Sequence, residues 1–260
     1  MNVNPTRPHL ISVARTASRL ALLVSLLFGR SSEAAAAPPE KAAPGKTMRV
    51  LFIGNSLTAA NNLPRVVQSL AKAAGRNLEV DDVTYGGFSL EDHWNNGDAL
   101  ETIASGKWDY VILQHGPSSL PESRAELREW TRKFAPKIRA AGAKPALYMV
   151  WPSPDRTAYY DDVREAYSLA AKDVDGMFIP AGEALRAAQR RNVKARLLSY
   201  DGFHPSEAGT YTVALSVYGM IFQQSPVGLP AKVSGVNLSP EVAKVLQEAA
   251  AEANQKFGRP

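Results

Sequence analysis

Five short runs, four of them almost wholly apolar, are separated by longer amphipathic ones and leave this chain few folds to choose from. The runs are Arg49–Ile53, Leu78–Tyr85, Tyr110–Leu113, Pro145–Trp151 and Met177–Pro180. Such short apolar runs read as strands buried on both faces, as in a parallel sheet. Between and after them, apolar residues recur at helical spacing over Leu63–Ala74, Glu122–Ala141, Tyr160–Lys172, Ala181–Arg190, Ser206–Phe222 and Pro240–Lys256. Pro64 suits the first turn of the first helix and Gly75 its end. Gly142 closes the second helix, which Pro136 is expected to kink or divide. Alternating strands and helices imply right-handed crossovers and a sheet with helices on both faces. The expected fold is α/β: a three-layer α/β/α sandwich with a five-stranded parallel sheet, flavodoxin-like, in one domain over residues 48–260.

The first 37 residues read as a secretory signal peptide rather than as part of this domain. Arg7, Arg15 and Arg19 precede the apolar run Leu20–Phe28, and small residues follow at Ala34–Ala37. The run is short for a bilayer span, so no stable membrane insertion is expected after cleavage. Residues 38–47, with Pro38, Pro39, Pro44 and Gly45, read as a flexible leader. The signal also carries much of the charge. Arg7, Arg15, Arg19, Arg30 and Glu33 sum to +3, so the chain's formal +5 falls to +2 without them. No Lys/Arg-rich block remains to suggest nucleic acid as a partner. The sequence has no cysteine, which rules out disulfides and thiolate metal sites. These features together point to a periplasmic or secreted protein.

In open α/β sheets, sites form beyond the carboxyl ends of the strands. Three of those loops hold Gly54-Asn55-Ser56, Gly86-Gly87 and Gln114-His115-Gly116. A serine at a strand-to-helix turn is exposed, with backbone N–H groups nearby to meet a developing negative charge. A helix cap would use the same residue type, so Ser56 alone decides nothing. His204 changes the balance. In Asp201-Gly202-Phe203-His204-Pro205, the spacing brings a carboxylate to one imidazole nitrogen and leaves the other for a nucleophile. No phosphate loop, dinucleotide fingerprint or His-Glu-x-x-His is present, so neither a cofactor nor a metal is expected.

At these residues the sequence resembles the SGNH/GDSL hydrolases, in a bacterial branch with Gly-Asn-Ser-Leu-Thr in place of the commoner Gly-Asp-Ser form. The likeness extends over residues 48–225. Gly54-Asn55-Ser56 is similar to the first block, whose Ser is the nucleophile, and Asp201-Gly202-Phe203-His204-Pro205 to the last, which supplies the base and its orienting acid. The resemblance implies an oxyanion hole made by the N–H groups of Ser56 and Gly87 and by Gln114, which stands where the third block usually has Asn. Asn55, His115 and Trp151 are expected to face the substrate, although His115 is also open to a contact with Gln114 or to a capping or surface place. Tyr85, Tyr200 and Phe203 are open to a cleft-lining role or to plain packing. The activity implied is a serine esterase acting on small acyl esters of small molecules or glycans. A catalytically weak glycan-binding protein on the same scaffold is the alternative, prompted by the missing Asn.

Overall fold

In the computed structural model the described residues are 46–258, so the signal and most of the leader lie outside them. β1 (Met48–Gly54) ends in a tight turn into the one-turn helix α1 (Ser56–Ala59). A single 3₁₀ turn, Ala60–Asn62, leads into α2 (Leu63–Ala73). β2 (Leu78–Thr84) is followed by two short helices, α3 (Leu90–Asn96) and α4 (Asp98–Ser105). β3 (Tyr110–Leu113), α5 (Pro121–Ala140), β4 (Lys144–Tyr148), α6 (Tyr160–Asp173) and β5 (Met177–Ile179) complete the sheet. Three helices close the chain: α7 (Ala181–Arg190), α8 (Glu207–Phe222) and α9 (Pro240–Phe257). Before α9, Lys232–Val233 (β6) and Val236–Asn237 (β7) form a two-stranded antiparallel ribbon.

The main sheet has the order β2-β1-β3-β4-β5 with every pair parallel. The chain steps outward from β1 to β2, then returns past β1 to β3, so right-handed crossovers put helices on both faces. On one face α2, α7, α8 and α9 pack together, and on the other α5 packs on α3, α4 and α6. The centre of the first layer is α8, buried continuously from Ala208 to Ile221. A helix enclosed on all sides cannot be amphipathic, which is why this segment is apolar all round. Its start follows directly on His204-Pro205, so the last loop of the site is rooted in the most deeply buried helix.

Two expectations change. α5 runs unbroken through Pro136, with Phe134, Ala135 and Ile138 buried around the proline. Its packing against the sheet outweighs the backbone hydrogen bond that proline cannot make. The fourth strand stops at Tyr148 rather than at Trp151. β5 is only three residues long, and after the bond from Met149 N–H to the Ile179 carbonyl the chain has no neighbour to pair with. Met149, Val150 and Trp151 stay buried but leave the ladder.

Candidate active site

β1 delivers Ser56 to the carboxyl edge of the sheet, between the loops that follow β2 and β3. Asn55 caps the one-turn helix, its side-chain oxygen accepting from Leu57 N–H at 3.1 Å. That leaves Ser56 as the first helical residue. Its backbone N–H, like that of Gly87, has no hydrogen-bond partner among the described residues.

The other half comes from the turn between α7 and α8. An antiparallel bridge between Leu198 and Pro205 pins the turn's two ends, and Ser199 N–H donates to the His204 carbonyl at 2.7 Å. Gly202 takes φ +71° at its tip, a left-handed conformation that a β-carbon would disfavour. The Asp201 side chain then reads the turn from inside. Its Oδ1 accepts from Phe203 N–H (2.9 Å) and His204 N–H (3.0 Å), while Oδ2 lies 2.5 Å from His204 Nδ1. The Phe203 N–H bond, followed by that from the imidazole, pulls the Asp201 carboxyl down to about 2. An ionised Asp201 can only accept a hydrogen bond, so the ring proton sits on Nδ1 and Nε2 carries the lone pair. Ser56 Oγ is 2.8 Å from that nitrogen and donates to it. Carboxylate, imidazole and hydroxyl therefore form one hydrogen-bonded line, with the Asp201 and His204 side chains 48% and 39% exposed. Such a line can move a proton off a hydroxyl as that hydroxyl attacks.

Three residues expected at the site do other work. Gln114 is only 1% exposed and its amide is occupied within the protein. Its Oε1 accepts from Asn55 N–H and from the Thr58 hydroxyl, each at 2.8 Å, and its Nε2 donates to the His115 carbonyl at 2.7 Å. A buried N–H needs an acceptor, which fixes the orientation of the amide. Gln114 thus supports the Ser56 turn from beneath, with its oxygen and one of its two N–H groups engaged inside the protein. The side chain also explains Gly54, where a β-carbon would come within 2.5 Å of both Gln114 Oε1 and Thr58 Oγ1. Asn55, besides capping, donates to the Phe88 carbonyl at 3.0 Å, tying the first loop to the second rather than meeting substrate. Trp151 is buried, and its indole N–H donates to the Phe203 carbonyl at 2.9 Å. It is a prop for the Asp201–His204 turn.

One residue that the sequence reading passed over, Asn61, holds the two halves together, and His115, expected to face the substrate, is largely buried. Asn61 reaches from the end of the serine segment to the Pro205 carbonyl (3.0 Å) and the Thr210 hydroxyl (2.9 Å). Asn61 and Asn62 both have positive φ, and an Asn-Asn pair after a serine turn is the signal that could have found them. His93, fully buried, meets the Gly54 carbonyl with Nε2 at 2.8 Å. His115 is 4% exposed and accepts from Leu90 N–H through Nδ1 at 3.1 Å. Of the aromatics, Tyr85 donates its hydroxyl to Asp98 (2.6 Å), and Tyr200 is 95% exposed on the turn.

Burial pushes the His115 imidazole down to about 4 from 6.5 and lowers His93 in the same sense. The folded protein therefore refuses protons that the unfolded chain accepts between those values, so stability falls as pH drops from 6.5 towards 4. For His115 the loss is about 3 kcal/mol at about 1.4 kcal/mol per pH unit. Asp201 acts lower down, between its ordinary 3.8 and about 2. Urea midpoints should drop between about pH 7 and about pH 4.5; a flat profile over that interval would contradict this account.

No protein-family model and no curated protein matches this sequence. Solved structures do. A DUF4886 family protein from Bacteroides uniformis superposes with TM-score 0.71 at 21% identity, over 82% of this chain and 97% of its own. A candidate SGNH hydrolase from Slackia heliotrinireducens is 28% identical with TM-score 0.54, over 66% of this chain and 98% of its own. An acetyl xylan esterase has TM-score 0.56 at 17% identity, over 67% of this chain and 100% of its own. The sheet order, the layered helices and these structural likenesses together show that the chain has the α/β fold of the SGNH hydrolases it resembles.

Proposed function

We propose that this protein is a serine esterase that removes short acyl groups, acetyl foremost, from small-molecule or carbohydrate hydroxyls. Ser56 is the nucleophile, His204 the base, and Asp201 the group that orients and stabilises the imidazole. The observation that carries this reading is the unbroken line from Asp201 Oδ2 through His204 to Ser56 Oγ, at 2.5 and 2.8 Å.

The reaction runs in two halves. Ser56 Oγ bonds to the ester carbon as His204 Nε2 takes its proton, and the carbonyl π pair moves onto oxygen. The N–H groups of Ser56 and Gly87 meet that charge. As the tetrahedral species collapses, the bond to the alcohol breaks and His204 returns the proton to the leaving oxygen. Water then attacks the acyl-enzyme by the same route. The ionised Asp201 favours the imidazolium that each half creates.

The exposure of Asp201 and His204 suits an ester carried on a bulky polar body better than a long acyl chain needing burial. The acetyl xylan esterase among the fold neighbours supports the choice of acyl group. The leader-like residues 1–37 support action outside the cytoplasm, in the periplasm or beyond. The test is labelling with a fluorophosphonate and mapping of the adduct, alongside a screen of acetylated oligosaccharides against longer acyl esters. The expected result is a single adduct on Ser56 and turnover that falls with acyl length. Glycan binding with no adduct and no turnover would replace the proposal with a non-catalytic binding protein.

A further inference from the structure

Gln114 is turned inward, its oxygen and one N–H engaged inside the protein, and the next residue along the chain carries a side-chain donor of its own. We propose that the Nε2–H of His115 is the third oxyanion donor, an inference that rests on the esterase reading above.

The geometry starts from where three loops meet. Asn55 Nδ2 donates to the Phe88 carbonyl, Leu90 N–H donates to His115 Nδ1, and Gln114 Oε1 accepts from Asn55 N–H. The His115 ring thus lies at the junction of the loop that carries Gly87 and the loop that carries Ser56. Its tautomer follows from the partner. A backbone N–H can only donate, so Nδ1 must accept, and the proton of the neutral ring sits on Nε2. That N–H has no partner among the described residues, yet it is not sealed in the protein as His93 Nδ1 is. The ring is held by the Leu90 bond, and the Tyr167 hydroxyl donates to the residue's carbonyl at 2.6 Å. A fixed, largely buried ring with a single unused donor is the preorganised kind of group that stabilises developing charge.

Burial supports the role, since it keeps His115 neutral at ordinary pH. A neutral imidazole can polarise a carbonyl without giving up its proton. In this step His115 donates a hydrogen bond only. The proton from Ser56 goes to His204 and from there to the leaving alcohol, so no proton is left over.

The two ring nitrogens can be tested apart. In His115→Asn the amide oxygen falls near the position of Nδ1 and keeps the acceptor for Leu90, but nothing reaches the place of Nε2. In His115→Gln an N–H is restored near Nε2 while the Leu90 acceptor is lost. With an aryl acetate ester, His115→Asn should lower kcat by about 10²–10³-fold with KM and the thermal midpoint little changed. His115→Gln should recover a large part of kcat despite a lower midpoint. If kcat of His115→Asn stays within about threefold of wild type, or the two variants lose kcat in step with their midpoints, the assignment is overturned. Failure of the esterase reading looks different: the wild-type protein itself would form no fluorophosphonate adduct on Ser56.

Discussion

Ser56→Ala should abolish hydrolysis of an aryl acetate ester, lowering kcat by about 10⁴-fold or more, while the thermal midpoint stays close to wild type. The hydroxyl's partner is the His204 ring, at the surface of the cleft, so its removal leaves no sealed polar group behind. His204→Ala should cost a similar factor. The double variant should be no worse than either single one. In the proposed reaction, attack by Ser56 and proton transfer to His204 are one event, and a base without a nucleophile has nothing to deprotonate. What remains in all three variants is the activity given by oxyanion N–H groups and substrate positioning alone. Single-site losses that multiply in the double variant would show that the 2.8 Å contact is not used in turnover.

Gln114→Leu should damage stability and activity together. Leucine keeps the volume but abandons two groups, Asn55 N–H and the Thr58 hydroxyl, and leaves the His115 carbonyl to the Tyr167 hydroxyl alone. A buried polar group left without a partner costs about 1–3 kcal/mol, so the total should reach about 3–5 kcal/mol in urea unfolding. The Gly54–Asn55 peptide just before the nucleophile loses its support at the same time, and small displacements of a nucleophile are costly in rate. Adding Thr58→Val should return part of the stability, because the second substitution removes one of the abandoned groups. A side chain that merely faced the substrate would behave otherwise. Its loss would lower kcat at unchanged stability, with no coupling to position 58.

The sheet and its principal helices were legible because each long element carries its own period. The apolar runs 110–113 and 177–179 were flanked by helical segments with a buried stripe, and both became strands. α3 and α4 were not legible. α3 buries only Leu90 and His93, α4 only Ala99 and Ile103, and two contacts make no period. The capping box of Ser89 with Asp92 was the available signal. At the site, residue types and spacing were enough to pair Asp201 with His204 and to bring both to Ser56, since those roles need specific chemistry. They were not enough for Gln114, Asn55 or Trp151. An amide or an indole donates equally well to a ligand or to a backbone carbonyl, and the direction taken from a strand end depends on neighbours distant in sequence.

Placing acid and base on one turn clipped together at Leu198 and Pro205 makes them a cassette. A disturbance from outside shifts both relative to the serine, without separating one from the other. Position 200 sits on that cassette with its side chain almost wholly in solvent and outside its hydrogen bonds. New chemistry grafted there would alter what can approach the hydroxyl, while the carboxylate and the ring keep their mutual alignment.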